Sequence, residues 1–164
     1  MGWDYITSGK HEVGPVAAEF IDKVKSKKAV IGIIGLGYVG LPLAMTYVRK
    51  CYHGLGFDVD ASKVDALMAG KSYIKHLSDA DTKRMVDTKL FDATTDFDRL
   101  SEPDAILICV PTPLSINREP DLSYVVATVN QIATRLRKGQ VVVLESTTYP
   151  GTTDEVILPT LAKV

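Results

Sequence analysis

Cysteine, histidine and tryptophan are scarce in this chain, at two, three and one residues out of 164. Cys51 and Cys109 stand far apart, without the short paired spacing that holds zinc or the density of a disulfide framework, so no metal site and no disulfide is expected. Cys109 reads as a small buried strand residue. Cys51 reads as a residue near a helix end, and neither cysteine follows a turn at the carboxyl end of a strand. An excess of one charge is also lacking. Nineteen Lys and Arg face twenty Asp and Glu, a net charge of −1, which gives no electrostatic case for nucleic acid or an anionic membrane as partner. The longest nearly uncharged stretch, Ala29 to Val48, is broken by four glycines and Pro42 and does not read as a membrane span. No basic segment followed by an apolar signal core opens the chain, so the expected location is cytoplasmic. Repeats and low-complexity linkers are missing too. What remains is an ordinary composition, 46% apolar and 24% charged, in a chain long enough for one domain with a real core.

The chain is organised around Ala29-Val30-Ile31-Gly32-Ile33-Ile34-Gly35-Leu36-Gly37-Tyr38-Val39-Gly40. A short apolar, β-prone run ends in Gly-x-Gly-x-x-Gly, and a helical pattern, Leu41 to Lys50, follows at once. Gly35 allows a tight turn, Gly37 leaves no Cβ where a pyrophosphate approaches, and Gly40 lets helix and strand pack closely. The helix start then offers unpaired N–H groups and a positive dipole end to phosphates, and Pro42 sits in the first turn, where a missing N–H costs little. Asp58 closes the next apolar run, Leu55 to Asp58, about 20 residues further on, the distance at which an acid binds the adenosine ribose hydroxyls. Its charge would repel a 2′-phosphate, so NAD is expected over NADP.

Met1 to Lys10 carry little pattern and read as an arm. Val13 to Val24 has the spacing of a short amphipathic helix. Ala61 to Ala69 predicts a helix closed by Gly70. Two readings stand for Lys63, one turn in: an ammonium reaching the adenosine side of a cofactor, or a solvent-facing lysine. Lys71 to His76 is a loop. Asp79 to Lys89 predicts a helix capped by Ser78 or Asp79, followed by a short strand, Phe91 to Thr94. Asp104 to Val110 is continuously apolar after its first residue, as suits a parallel strand covered on both faces. It stops at Pro111-Thr112-Pro113, where ligands bind in open α/β sheets; a plain strand terminator is the alternative. Asp121 to Arg137 predicts a long helix and Gln140 to Glu145 a fifth strand. Ser146 to Asp154 is a second hydroxyl-rich turn at a strand end. Its hydroxyls would contact cofactor or substrate, or Thr152 or Thr153 would cap a helix opening there.

The alternation of strands and helices predicts an α/β fold: a Rossmann-type doubly wound parallel sheet in three layers, of strand order 3-2-1-4-5, lacking the sixth strand of a full dinucleotide domain. Residues 1–27 are expected to form the arm and short helix, and 28–164 the NAD-binding domain.

Several stretches, in order, resemble the UDP-sugar 6-dehydrogenases: Gly35 to Ala44, Gly56-Phe57-Asp58-Val59-Asp60, Val110-Pro111-Thr112-Pro113-Leu114, and Glu145-Ser146-Thr147-Thr148-Tyr149-Pro150-Gly151-Thr152-Thr153. With Ser72-Tyr73-Ile74-x-His76 they look most like the UDP-N-acetylglucosamine branch, with UDP-glucose dehydrogenases as close relatives. The resemblance implies oxidation of a sugar C6 alcohol to a carboxylate in two hydride transfers to NAD, through a cysteine-bound aldehyde and thioester, for surface polysaccharide precursors. It implies that Gly35, Leu36, Gly37, Tyr38, Val39 and Gly40 hold the pyrophosphate, Asp58 the ribose, and that Lys63 lies along the adenosine. Val110, Pro111, Thr112, Pro113, Leu114, Thr147, Thr148 and Tyr149 then line the cofactor cleft, and Thr148 helps position the reactive water. The family's nucleophilic cysteine, its lysine, asparagine and Pro-Glu glutamate have no counterpart here, so this chain alone is expected to bind NAD without oxidising a sugar. A homo-oligomer is implied for the whole enzyme. Cys51 and Gly54 depart from the common pattern and leave the start of strand two open. Two other readings compete: a β-hydroxyacid dehydrogenase of the 6-phosphogluconate kind, which usually has Met where Val39 stands, and a non-catalytic NAD-binding module.

Overall fold

A computed structural model of the chain describes residues 13–113 and 120–163. The expected arm and Leu114 lie outside the described residues. Five strands, β1 (Val30–Ile34), β2 (His53–Phe57), β3 (Phe91–Thr94), β4 (Ala105–Ile108) and β5 (Val141–Leu144), form one sheet of order β3-β2-β1-β4-β5. Every pairing is parallel. The helices are α1 (Pro15–Lys25), α2 (Gly40–Arg49), α3 (Ala61–Met68), α4 (Asp79–Asp87), α5 (Ser123–Ala133) and α6 (Leu158–Leu161). Parallel neighbours need crossovers; α2, α3 with α4, and α5 lie in three of them and cover both faces of the sheet.

Strand alternation divides the core in two. Ile31, Ile33, Ala105, Leu107 and Cys109 face a layer containing Leu41, Ala44, Met45 and Val48 of α2, Val64 and Leu67 of α3, and Met85 of α4. Ile34, Leu55, Phe57, Ile106 and Ile108 face Val125, Val129 and Ile132 of α5 together with Ile157. The α2 set recurs at i, i+3, i+4 and i+7, the stripe a helix needs to lie on a sheet. On β2 the side toward α2 carries only glycines. A Cβ at Gly56 would sit 2.8 Å from Leu36 Cδ2, so the gap in the strand is filled by a residue of the glycine turn.

Strand two begins at His53, with Gly54 inside it. Cys51 is indeed at a helix end: it follows α2 with φ 62°, as Lys27 follows α1 and Lys89 follows α4 at φ 61°. Each of these left-handed residues costs about 1 kcal/mol and turns the chain from helix into strand. The left-handed Lys89 is also why α4 stops at Asp87 rather than running to Lys89. Ser78 is its cap, accepting the Asp81 N–H at 3.1 Å.

Helix α5 is shorter than its pattern predicts. Its last expected turn is pulled apart by side chains. Arg137 donates to the carbonyls of Ser101, Glu102 and Pro103, and Gln140 donates to those of Leu100 and Pro103. These partners belong to a 3₁₀ turn, Phe97–Ser101, that the sequence reading did not anticipate, and to its exit. Neither Thr152 nor Thr153 caps a helix. The Thr152 hydroxyl donates back to the Tyr149 carbonyl at 2.8 Å, and a wide turn, Thr153–Ile157, leads into α6.

At the amino ends of the strands, Asp104 gathers three donors. Its carboxylate accepts from the Val30 N–H at 3.0 Å, Lys23 of α1 at 3.0 Å and Arg137 at 2.9 Å. Tyr52 adds a second tie to α1, donating to the Val24 carbonyl at 3.0 Å.

Candidate functional site: a dinucleotide cleft

β1 and β4 are neighbours, but the chain leaves β1 toward α2 on one face and β4 toward α5 on the other. Their carboxyl ends therefore open into a crevice, the place where doubly wound sheets bind ligands. A cleft of about 1040 Å³ lies there.

The glycine turn forms its floor. Gly35 has φ 92°, and a Cβ on it would lie 2.7 Å from the Cys109 carbonyl oxygen, so the turn is pressed against the end of β4. A Cβ on Gly40 would fall 1.9 Å from the Gly35 carbonyl oxygen. Gly37 differs from both: a Cβ there would meet nothing within 4 Å and would project into open space. The N–H groups of Gly37, Tyr38 and Val39 have no backbone partner among the described residues, and the start of α2 has no side-chain cap. Free donors at a helix start beside an open glycine are what a diphosphate requires.

Asp58 follows β2 and is buried, 6% exposed. Its Oδ2 accepts the Leu36 N–H at 2.9 Å and the Lys63 ammonium at 3.4 Å, and its Oδ1 accepts the Asp60 N–H at 3.0 Å. Lys63 pairs with Asp58 and lines the cleft while remaining about a third exposed.

The strand-end loops meet across the cleft from Asp58. Thr112 donates its hydroxyl to the Thr147 carbonyl at 2.7 Å, and Ser146 donates to the Val110 carbonyl at 2.7 Å. Both hydroxyl protons thus tie one loop to the other, leaving oxygen lone pairs and backbone groups for a ligand.

Of the residues singled out from sequence, Gly35, Gly37, Tyr38, Val39, Asp58, Lys63, Val110, Pro111, Thr112 and Thr147 line the cleft. Leu36, Gly40, Pro113, Thr148 and Tyr149 are absent from its walls. Leu36 has turned its side chain wholly into the core, and Gly40 is buried by the Gly35 contact. Cys109, read from sequence as a buried strand residue, stands directly after β4 and lines the cleft. Burial, then the nearby Glu145 charge, pushes its thiol up to about 11, the direction opposite to the one that activates a nucleophilic cysteine.

The sequence reading gave no site role to Tyr73, Thr95, Phe97, Tyr124, Gln131 or Glu145, all of which line the cleft. Thr95 and Phe97 were findable, because they follow β3 as Pro111 follows β4. Tyr124 and Gln131 come from the cleft-facing side of α5, which periodicity shows only as partly polar.

Comparison with known proteins agrees with this geometry. Residues 29–164 match the model of the UDP-glucose/GDP-mannose dehydrogenase family, NAD binding domain. The chain is 35% identical over 144 residues to the UDP-N-acetyl-D-glucosamine 6-dehydrogenase of Salmonella typhi, covering 88% of this chain and 32% of that protein. It is 39% identical over 127 residues to the NDP-N-acetyl-D-galactosaminuronic acid dehydrogenase of Ralstonia nicotianae, covering 76% and 29%. Among solved structures, a ternary complex of GDP-mannose dehydrogenase from Pseudomonas aeruginosa superimposes with a TM-score of 0.77 at 33% identity, over 81% of this chain and 32% of that one. The chain thus spans about a third of the length of these relatives. An open glycine turn, a buried acid beyond β2 and a match over nearly the whole sheet lead to one conclusion: the chain belongs to the UDP-glucose/GDP-mannose dehydrogenase family, and its cofactor is NAD.

Proposed function

We propose that residues 28–164 are the NAD-binding part of a cytoplasmic nucleotide-sugar dehydrogenase. The whole enzyme would be a homo-oligomer that oxidises the C6 alcohol of a UDP-sugar, UDP-N-acetylglucosamine foremost, to a carboxylate. The observation that carries the cofactor assignment is the pairing of open Gly37 with buried Asp58 on adjacent strand ends. In this reading the glycine turn presents the Gly37, Tyr38 and Val39 N–H groups to the pyrophosphate, while Asp58 and Lys63 hold the adenosine ribose. Val110 to Thr112 and Thr147 flank the nicotinamide half, and Thr148, next to Thr147 in the same loop, helps position the reactive water. Bound NAD supplies a hydride acceptor, and the protein's task is to hold it and to exclude water around it.

The sugar is supported by the Ser-Tyr-Ile-x-His and Ser-Thr-Thr-Tyr-Pro-Gly motifs and by the name of the Salmonella relative. Relatives named for N-acetylmannosamine and N-acetylgalactosaminuronic acid match nearly as well. Among the described residues, no helix is long and apolar enough to cross a membrane.

Cofactor choice is tested by calorimetry on the unaltered chain. NAD should bind at least about tenfold more tightly than NADP, since Asp58 would face the 2′-phosphate. Equal affinities would overturn the role of Asp58. The sugar is tested in the protein to which this domain belongs: UDP-N-acetylglucosamine should yield NADH faster than UDP-glucose, and the reverse order would move the assignment.

A further inference from the structure

Leu36, between the first two glycines of the turn, is held at three points. Its side chain is fully buried in the gap above Gly56. Its N–H is taken by Asp58, and its carbonyl accepts a hydrogen bond from the Tyr73 hydroxyl at 2.5 Å. Tyr73 reaches across 37 residues of chain to make that contact. Its half-buried ring lines the cleft, with the Lys63 ammonium 6.0 Å from the ring centroid.

The peptide between Leu36 and Gly37 is planar and trans, so its carbonyl and the Gly37 N–H point in opposite directions. A carbonyl fixed on Tyr73 therefore fixes the direction of the Gly37 N–H. That N–H belongs to the residue whose missing Cβ leaves open space for the diphosphate. Nothing in glycine itself would hold this direction, since a residue without Cβ accepts either orientation of the preceding peptide. A flipped peptide would present a carbonyl oxygen, with its partial negative charge, to an anionic ligand. We infer that Tyr73 is a positioning residue that locks the glycine turn with an N–H, rather than a carbonyl, toward the cofactor's diphosphate.

The hydroxyl keeps its proton for this purpose. Burial, followed by the charges of Asp58 and Asp60, raises the Tyr73 pKa above its ordinary value, so the donor persists throughout the neutral range.

The inference rests on the NAD reading, and the test separates the two. Tyr73→Phe keeps the ring and removes only the hydroxyl. NAD and ADP-ribose should each bind roughly tenfold more weakly to it by calorimetry. Adenosine, which has no diphosphate, should bind within about twofold of its original affinity by NMR titration. The ratio of ADP-ribose to adenosine affinity is the decisive quantity, because a partly unfolded variant weakens both ligands equally and leaves the ratio alone. An unchanged ratio overturns the role of Tyr73 while leaving NAD binding in place. Failure of the unaltered chain to bind NAD overturns the underlying reading and the inference with it.

Discussion

Gly37→Val is expected to abolish NAD binding and leave the fold untouched, whereas Gly40→Ala, a smaller change three residues away, is expected to unfold the chain. The difference follows from where each Cβ would go. At Gly37 it enters open space, so the folded chain has no objection, but a branched side chain would stand where the diphosphate belongs. At Gly40 the added atom lies 1.9 Å from the Gly35 carbonyl oxygen and 3.1 Å from Ile33 Cγ2. Relief would require moving α2 off β1, at a cost above the usual 1–3 kcal/mol of overpacking and on the order of 4 kcal/mol. Calorimetry with NAD and circular dichroism on both variants check this. A folded Gly37→Val that binds NAD normally would remove the diphosphate from the turn, and a folded Gly40→Ala would contradict the packing described.

Asp104→Ala should lower stability by about 3 kcal/mol, the lower end for breaking a buried pair. The lower end applies because Lys23 and Arg137 are each about a third exposed and can return to water. The Val30 N–H loses its acceptor as well. Lys23→Ala should cost less than about 1 kcal/mol, as expected for a partly exposed partner. Burial alone would raise the Asp104 pKa, yet the Val30 N–H, Arg137 and Lys23 together hold it below its ordinary value of 3.8. A folded-state pKa below the unfolded one stabilises the fold above pH 4 and loses that contribution as pH falls through the depressed value. Urea unfolding should accordingly show the unaltered chain ahead of Asp104→Asn at pH 7, with the gap closing as the pH falls below the ordinary value of 3.8 and through the depressed one. A gap that stays constant with pH would mean that the carboxylate charge contributes nothing.

Elements whose shape is dictated locally were legible in the sequence. Phe91–Thr94 forms a strand with the expected bounds, and the roles of Gly35 and Gly40 follow from spacing alone, because a tight turn and a close crossing leave glycine as the residue that fits. Strand order followed from the alternation of elements, since crossovers have a fixed hand. The misplaced features depend on contacts distant in sequence. Helix α5 ends early because Arg137 and Gln140 bind carbonyls more than thirty residues earlier. Tyr73 meets Leu36 across 37 residues, and no periodicity records such a meeting. Cys109 was read inside a strand running to Val110, whereas the ladder ends at Ile108 and leaves it one residue beyond the strand, because an apolar run does not mark where pairing stops.

The filling of the Gly56 gap by Leu36 has a consequence for the entropy and kinetics of binding. The turn proposed to meet the diphosphate is not a loop laid over the domain, because one of its side chains is part of the core. Its backbone order is established when the chain folds, so little further freedom remains to be lost when a ligand arrives, and pre-organisation of this kind favours affinity. Association then needs no loop closure around the phosphates, and its rate should be set by diffusion into the cleft and not by a rearrangement of the protein.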